Sequence, residues 1–165
     1  MKTIYFVRHA KSSWSNPELR DHDRPLNKRG LRDAPDMAGR LVELGVRPDG
    51  ILTSSAKRAQ QTAGYFASAL TLDPDKVIVD EALYHAYPAG IAECVRRLPA
   101  DWDTVLLFGH NPGYTDLANA LEHDDYLDNV PTCGIIIAEA DVDNWRDFSV
   151  GSARRTGFLY PKERT

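Results

Sequence analysis

The chain has 165 residues, of which 42% are hydrophobic and 27% charged, and its 20 basic and 24 acidic side chains give a formal net charge of −4. These values are typical of one globular domain with a sizeable core, and they argue against a disordered or fibrous protein. The slight acidic excess also argues against a large cationic face for nucleic acid, although a few arginines can still form a local positive pocket.

The first half of the chain predicts two strands, each followed by a helix. A β-rich run at 3–7 is hydrophobic enough to be a strand buried on both faces, and a polar loop follows at 11–25. The tripeptide Pro48-Asp49-Gly50 is typical of a turn. After it, 51–54 is predicted as the second strand and 56–72 as a helix.

The first helix has sequence signals at both ends. Asn27 is a suitable N-cap, and Gly45 is placed to end the helix. Pro35 lies inside the span, so we expect a kink or a restart there, because proline lacks the amide hydrogen that the helix needs. The apolar positions that recur at helical spacing are Leu31, Ala34, Ala38 and Leu41.

The second half continues the alternation of strands and helices. The predicted elements are a strand at 77–79, a helix opened by Pro88, a strand at 104–108, a helix at 112–121, closing strands at 134–139 and 147–150, and a loose basic tail at 152–165. This order predicts an α/β fold, a three-layer sandwich with a largely parallel central sheet flanked by helices on both faces. Residues 1–165 are expected to form a single domain.

The cysteines and the N-terminal segment indicate a cytoplasmic protein. Cys94 and Cys133 form no close-spaced pair and fit no zinc pattern, so we expect small buried side chains in a reducing compartment. The apolar run within residues 1–7 is too short for a signal peptide, and no stretch approaches the roughly 20 apolar residues of a membrane span.

Polar residues follow each of the first four predicted strands directly. In an open α/β sheet, ligands bind at the carboxyl ends of the strands, so we expect these residues at one edge of the sheet. They are Arg8 and His9 after the first strand, Ser54, Ser55, Lys57 and Arg58 after the second, Asp80 and Glu81 after the third, and Gly109, His110, Asn111 and Pro112 after the fourth.

This set of residues suits covalent phosphoryl transfer without a metal. Arginine forks match the charge spread over a phosphoryl group, a neutral imidazole can attack phosphorus, and a carboxylic acid can protonate the leaving atom. Taken alone, His9 could be a hydrogen-bonded strand end and His110 part of a turn. Arg58 and Glu81 alone could be solvated surface residues. Their joint position favours the chemical interpretation.

Four motifs follow one another along the chain in a specific order. They are Arg8-His9-Ala10-Lys11, Arg24-Pro25-Leu26-Asn27-Lys28-Arg29-Gly30, Ser54-Ser55-Ala56-Lys57-Arg58-Ala59-Gln60-Gln61-Thr62 and Gly109-His110-Asn111-Pro112-Gly113. Together they resemble the histidine phosphatase superfamily, the group that includes the cofactor-dependent phosphoglycerate mutases. The compact chain, the Arg-His-Ala form of the first motif and Leu83-Tyr84 resemble its phosphohistidine-phosphatase branch, the SixA type. The resemblance extends from about residue 3 to residue 150.

The resemblance implies a role for each residue that matches a motif. His9 matches the nucleophile that becomes phosphorylated. The groups that hold the phosphate and stabilise the transferring charge are matched by Arg8, Arg58 and His110. Glu81 falls where larger members keep their proton donor. Further candidate donors to phosphate oxygens are Asn111 and either Ser12 or Ser13.

The loop and the rim of the expected site leave alternatives open. Asp21, Asp23 and Arg24 either gate and orient a substrate or hold the loop through Asx turns and ion pairs. Trp14 either packs under the loop or faces a partner. His85 either lines the rim of the pocket or lies on the surface.

The sequence therefore predicts a phosphatase that works through a phosphohistidine on His9 and dephosphorylates phosphohistidine in a protein. No long insert precedes His110 to cover a small substrate, which favours a protein substrate. The alternatives are a phosphatase for a small phosphomonoester, a phosphate-binding module without turnover, and a metal-dependent hydrolase that uses both histidines. The expected partner is a phosphorylated protein or small molecule, with no cofactor, metal, nucleic acid or membrane.

Overall fold

A six-stranded sheet forms the centre of the protein, described here from a computed structural model that covers residues 1–162. The strands are β1 (Lys2–Arg8), β2 (Gly50–Ser54), β3 (Val77–Asp80), β4 (Thr104–Gly109), β5 (Ile135–Ala140) and β6 (Ala153–Leu159). The helices are α1 (Lys28–Glu43), α2 (Lys57–Ala69), α3 (Pro88–Arg96) and α4 (Gly113–Ala120). The strand order is β3-β2-β4-β1-β5-β6, parallel from β3 to β1 and antiparallel at β5 and β6. The predicted α/β sandwich with a largely parallel sheet is confirmed.

Helices cover both faces of the sheet, because successive residues of a strand point to opposite sides. The core on one face includes Ile4, Phe6, Leu107, Ile91 of α3 and Leu117 of α4. The core on the other face includes Val7, Leu106, Phe108, Leu41 of α1 and Phe66 of α2. All ten side chains are fully buried, and burial of each stabilises the fold by about 1.5–3 kcal/mol.

The register of the central strands brings three chain segments together at one edge. Arg8 at the end of β1 lies opposite Gly109 of β4, and Thr53 of β2 lies opposite Phe108 of β4. The residues that follow β1, β2 and β4 therefore leave the sheet side by side. This is the edge at which the sequence predicts a ligand site.

Helix α1 begins and ends as predicted, and it continues without interruption through Pro35. The Asn27 side chain accepts a hydrogen bond from the Gly30 amide at 2.9 Å, and Gly45 has the left-handed φ of 75° that ends the helix. Pro35 and Leu31 both lie on the exposed face. Water can therefore satisfy the Leu31 carbonyl that a proline cannot bond, which removes the need for a restart. The placement of Leu31 on the apolar face was wrong.

The C-terminal region differs from the prediction. Two short 3-10 helices, Trp145–Asp147 and Val150–Ser152, replace the strand expected at 147–150. Within the segment expected as a loose tail, β6 pairs along the whole of β5. One of the buried positions of β6 is occupied by Arg155, which is only 7% exposed. Because this residue is charged, the hydrophobic pattern of the sequence did not reveal the strand. Residues 163–165 of the predicted tail lie outside the described residues.

Both cysteines are buried and unbonded, as predicted. Burial raises the pKa of the Cys94 thiol to about 11. No helix within residues 1–162 is both long enough and apolar enough to cross a membrane.

Candidate active site

A cleft of about 430 Å³ opens at the carboxyl ends of β1, β2 and β4. The residues that line it are Arg8, His9, Lys11, Ser12, Trp14, Asp21, Arg24, Arg58, His85, His110, Asn111 and Thr132. The structure thus brings together six of the seven predicted catalytic and substrate-binding residues. The seventh, Glu81, is exposed and begins a 3-10 helix, Glu81–Leu83, outside the lining of the cleft.

His9 is fixed by hydrogen bonds to its backbone and to its ring. Its amide donates to the Gly109 carbonyl at 3.0 Å, and its own carbonyl accepts from the Cys133 amide at 3.1 Å. The ring atom Nδ1 lies 2.7 Å from the Ala10 carbonyl oxygen. Because a carbonyl oxygen can only accept, Nδ1 carries the hydrogen and Nε2 keeps its lone pair. This lone pair faces the Arg58 Nε donor at 3.3 Å.

The imidazole of His9 is neutral at physiological pH. Its side chain is buried, and this burial is the largest cause that lowers its pKa, to about 3. The hydrogen bond to Ala10 works against the shift, whereas the positive charges of Arg58, Arg8 and Arg24 add to it. A neutral ring with a fixed tautomer is the form of histidine that can attack an electrophile.

Arg58 is held against His9 by a short chain of hydrogen bonds through Thr62. The Ala10 amide donates to Thr62 Oγ1 at 3.0 Å, and the Thr62 hydroxyl donates to the Arg58 carbonyl at 2.7 Å, one turn earlier in α2. The first turn of α2 is thereby tied to the end of β1. Thr62 lies outside the lining of the cleft and acts by joining the two elements that carry His9 and Arg58.

Two buried nitrogen atoms of the cleft residues have no hydrogen-bond partner. They are Nε of Arg8 and Nδ1 of His110. His110 Nε2 lies 2.8 Å from the Ser54 hydroxyl, which itself accepts from the Ala56 amide and so is free to donate to the ring. A buried donor without a partner is costly, and Arg8 Nε is such a donor in a side chain that lines the cleft.

His110 acts in this site as a neutral donor and not as a cation. Burial lowers its pKa to about 2, and the nearby His9 ring and the Arg58 charge add to the effect. The ring centroids of His9 and His110 are 5.1 Å apart. Positive charge in the cleft therefore comes from the arginines.

Asp21 lies within the arginine cluster and binds two of its members. Its carboxylate accepts from Arg24 at 3.0 Å, from Arg58 at 3.0 Å and from the Tyr84 hydroxyl at 2.5 Å. Burial raises the pKa of Asp21, but these three hydrogen bonds more than offset it, so that its pKa lies well below the usual value. Asp21 is therefore an ionised carboxylate that orders the loop and the arginines.

The charges in the cleft leave a positive excess that suits a phosphate dianion. Three guanidinium groups, of Arg8, Arg24 and Arg58, stand against the single carboxylate of Asp21. Lys11 adds a further positive charge at the exposed mouth. Among residues 1–162, no group of three or more His, Cys, Asp or Glu side chains is arranged to hold a metal ion.

The two additional donor candidates lie in the cleft but already have partners. Arg24 donates to the Ser12 hydroxyl at 2.8 Å. The side-chain amide of Asn111 donates to Asn129 and to the Val130 carbonyl, both at 3.0 Å. Both side chains shape the walls of the cleft, and their role as phosphate donors stays a prediction.

Trp14 and Tyr84 belong to the site in ways that the sequence did not reveal. Trp14 is 72% exposed and stacks on the guanidinium of Arg24, with 3.4 Å between the Arg24 Cζ atom and the ring centroid. Tyr84 reaches Asp21 across 63 residues of sequence. The local signals in the sequence were a tryptophan in a polar, serine-rich loop and the Leu83-Tyr84 pair.

The two buried histidines should make the stability of the protein depend on pH. Histidines in the unfolded state take up protons below about pH 6.5. In the folded state His9 and His110 stay neutral to much lower pH, because their pKa values are about 3 and about 2. The unfolded state therefore binds more protons in this window, and the free energy of unfolding falls as the pH falls. Each histidine contributes a slope of about 1.4 kcal/mol per pH unit.

We expect His110→Asn to lower this slope by about 1.4 kcal/mol per pH unit, as measured by urea unfolding between about pH 6 and pH 4. Asparagine can still bond Ser54 but takes up no proton. Equal slopes for the variant and the wild type would show that His110 binds a proton in the folded state too.

Comparison with known proteins places relatives across nearly the whole chain. The family model described as the histidine phosphatase superfamily (branch 1) matches residues 4–85. An uncharacterized protein of Mycobacterium tuberculosis is 32% identical over 165 residues, which cover 94% of this chain and 100% of that protein. An uncharacterized chloroplastic protein of Arabidopsis thaliana is 30% identical over 160 residues, covering 88% of this chain and 70% of that one.

Solved structures of the same fold include proteins that carry the name SixA. One from Agrobacterium tumefaciens, which carries the name phosphohistidine phosphatase SixA, superposes with a TM-score of 0.81 at 28% identity and covers 98% of this chain and 99% of its own. A protein histidine phosphatase SixA complexed with tungstate gives a TM-score of 0.75 at 22% identity, covering 95% of this chain and 96% of its own. The second likeness shows the shared fold.

Proposed function

The chain belongs to the histidine phosphatase superfamily and is a phosphatase, and from this we propose that it works through a phosphohistidine on His9 and dephosphorylates phosphohistidine in a protein substrate. The observation that supports the proposal most directly is the state of His9. Its ring is neutral, its Nδ1 hydrogen is committed to Ala10, and its Nε2 lone pair points at an arginine in a positively charged cleft.

The first step forms a bond between His9 Nε2 and phosphorus while the bond to the leaving atom breaks. At 3.3 Å the hydrogen bond from Arg58 Nε to His9 Nε2 is long, and it gives way when a phosphate oxygen offers a better acceptor. The lone pair of His9 is then free to attack in line. The Arg58 side chain thus exchanges its hydrogen bond to His9 for one to the phosphoryl group, while its backbone stays in α2.

The cleft stabilises the charge on the three equatorial oxygens during transfer. Arg8 and His110 line the cleft, and Arg58 has guanidinium hydrogens beyond those bound to Asp21 and His9. Fixed donors of this kind need no reorganisation when the transition state forms, which makes electrostatic stabilisation effective. Water then attacks phosphorus, the bond to His9 Nε2 breaks, and phosphate leaves.

The open form of the cleft supports a substrate carried on another protein. Only the 3-10 helix Glu81–Leu83 and a short corner separate β3 from α3, so this segment forms no lid. The rim is formed by exposed side chains, among them Trp14, Lys11 and His85. A phosphorylated side chain can enter such a site while the rest of its protein stays outside.

We expect kcat/KM for a phosphohistidine protein to exceed that for sugar and nucleotide phosphates by at least about 10²-fold, because the open rim offers small molecules few contacts beyond the phosphate. The probe is a carrier protein phosphorylated on histidine with phosphoramidate. The matched control is the same carrier phosphorylated on serine. Glucose 6-phosphate and AMP serve as the small substrates.

The outcomes of this comparison are distinct. A preference for a sugar or nucleotide phosphate would replace the protein substrate with a small phosphomonoester and leave the role of His9 in place. Failure to hydrolyse any of the four substrates would contradict the proposal as a whole. Activity that a chelator abolishes would contradict the metal-free step.

A further inference from the structure

His85 occupies the rim of the cleft with an unusual backbone conformation. Its φ of 61° lies in the left-handed region, which glycine adopts easily and histidine only rarely. The residue forms the corner between the 3-10 helix Glu81–Leu83 and α3, and its exposed side chain lines the cleft.

Neighbouring residues fix the corner and the ring of His85. Gly113 at the start of α4 packs directly on the Ala86 carbonyl, where a side chain would collide. The Tyr84 ring stacks on the His85 ring with 3.9 Å between centroids and 31° between planes. Tyr84 in turn is held by its hydroxyl on Asp21, and the His22 ring packs edge-on against it at 4.9 Å. The His85 ring is thus connected to the arginine cluster through Tyr84.

The position of His85 relative to His9 is that of a leaving-group contact. His9 is buried at the floor of the cleft, being 7% exposed, and His85 lies at the exposed mouth. In an in-line transfer the leaving atom departs on the side of phosphorus opposite to the nucleophile. It therefore departs toward the mouth, on the side of His85. The His85 ring centroid lies 6.5 Å from that of the buried His110, which in turn lies 5.1 Å from that of His9.

The other side chains of the cleft are poor sources of a proton for that atom. Asp21 is an ionised carboxylate that already accepts hydrogen bonds from Arg24, Arg58 and Tyr84. The arginines keep their protons at any pH of interest. Glu81, the acid implied by the family pattern, lies outside the lining of the cleft. The imidazole of His85 lines the exposed mouth of the cleft and can give and take a proton there, as general acid catalysis requires.

We propose that His85 is the catalytic residue that gives a proton to the leaving atom of the substrate and takes one from water in the second step. The proposal rests on the proposed function, since it assigns a further residue to the same reaction. In the first step the bond from phosphorus to the leaving atom breaks, its electron pair goes to that atom, and the imidazolium of His85 protonates it. In the second step the neutral His85 accepts a proton from the attacking water, which restores the imidazolium.

His85→Asn is the variant that tests this role, because asparagine tolerates a left-handed φ but cannot transfer a proton as histidine does. The probes are p-nitrophenyl phosphate, whose leaving group needs little help, and phenyl phosphate, whose leaving group is a much stronger base. We expect kcat/KM to fall by about 10²-fold or more with phenyl phosphate and by less than about tenfold with p-nitrophenyl phosphate. His22→Asn, which also removes a ring packed on Tyr84, should change both values by the same small factor.

Each result of this experiment bears on the proposal. Equal losses with the two esters in His85→Asn would overturn the role of His85 and leave it as a residue that shapes the rim. A loss that depends on the leaving group in Glu81→Gln but not in His85→Asn would overturn it in favour of Glu81. If the wild type released no phosphate from the phosphohistidine carrier and formed no phosphoenzyme with it, the proposed function would fail together with the role of His85. If the wild type turned over through a phosphoenzyme and His85→Asn lost equal activity with both esters, only the role of His85 would be rejected.

Discussion

Replacing His9 with alanine is expected to lower kcat/KM by about 10⁴-fold or more while the protein remains folded. The imidazole lies at the floor of the cleft, with Nδ1 bonded to the Ala10 carbonyl and the Nε2 lone pair directed toward Arg58. Without it, phosphorus must be attacked directly by water. The arginines would still bind phosphate, so binding of inorganic phosphate is expected to persist in the variant.

The measurement combines kinetics with trapping of a phosphoenzyme. Wild-type protein quenched during turnover of a radiolabelled substrate should contain labelled phosphate that is stable in alkali and released by acid, as expected for phosphohistidine. His9→Ala should contain none. His123→Ala is the matched control, since the Nδ1 atom of His123 also lies 2.7 Å from a backbone carbonyl but outside the cleft. Label retained in His9→Ala would show that another residue is the nucleophile.

Arg58→Lys should lower kcat by about 10²–10³-fold although the positive charge is kept. Arg58 uses its Nε toward His9 and its two terminal nitrogens toward Asp21, a geometry that only a planar fork provides. A lysine can replace one of these contacts. The His9 ring and the Asp21 loop would then lose their common partner, and the transition state would lose aligned donors.

Arg97→Lys is the control for this substitution. Arg97 also pairs with a carboxylate, since its Nη2 atom lies 3.1 Å from Asp80 Oδ2, but the pair lies away from the cleft. We expect the kcat of Arg97→Lys to match that of the wild type. Circular dichroism and urea unfolding check that both variants fold. A kcat for Arg58→Lys within about fivefold of the wild type would show that Arg58 contributes only its positive charge. It would contradict the prediction that the planar guanidinium geometry is required.

The arrangement of Asp21 gives the cleft a feature that neither the motifs nor the fold class would suggest. A carboxylate placed among phosphate-binding arginines weakens their field, yet it also orients two of them and anchors Tyr84. Of the two interpretations left open by the sequence, the contacts favour a role in holding the loop and the arginines together. Asp23 is exposed, and its carboxylate lies 3.6 Å from the His22 ring.

The location of the site followed from local patterns in the sequence. Hydrophobic runs at β1, β2 and β4 are short-range signals, and in a parallel sheet the residues after such runs must meet at one edge. Arg8, His9, Arg58 and His110 could therefore be assigned to one cleft before their distances were known. The resemblance to the family added their roles, which the structure alone does not test.

What the sequence determined by itself was thus the fold class, the edge of the sheet that holds the cleft, and the identity of the residues that follow the strands. Tertiary structure alone decided the tautomer of His9, the neutrality of both buried histidines, the pairing of β6, and the exclusion of Glu81 from the cleft in favour of His85. These features depend on contacts between residues far apart in the chain, such as Asp21 with Arg58 and Tyr84, 37 and 63 residues away. Burial and partner geometry set them, and no local pattern of hydrophobicity encodes either quantity.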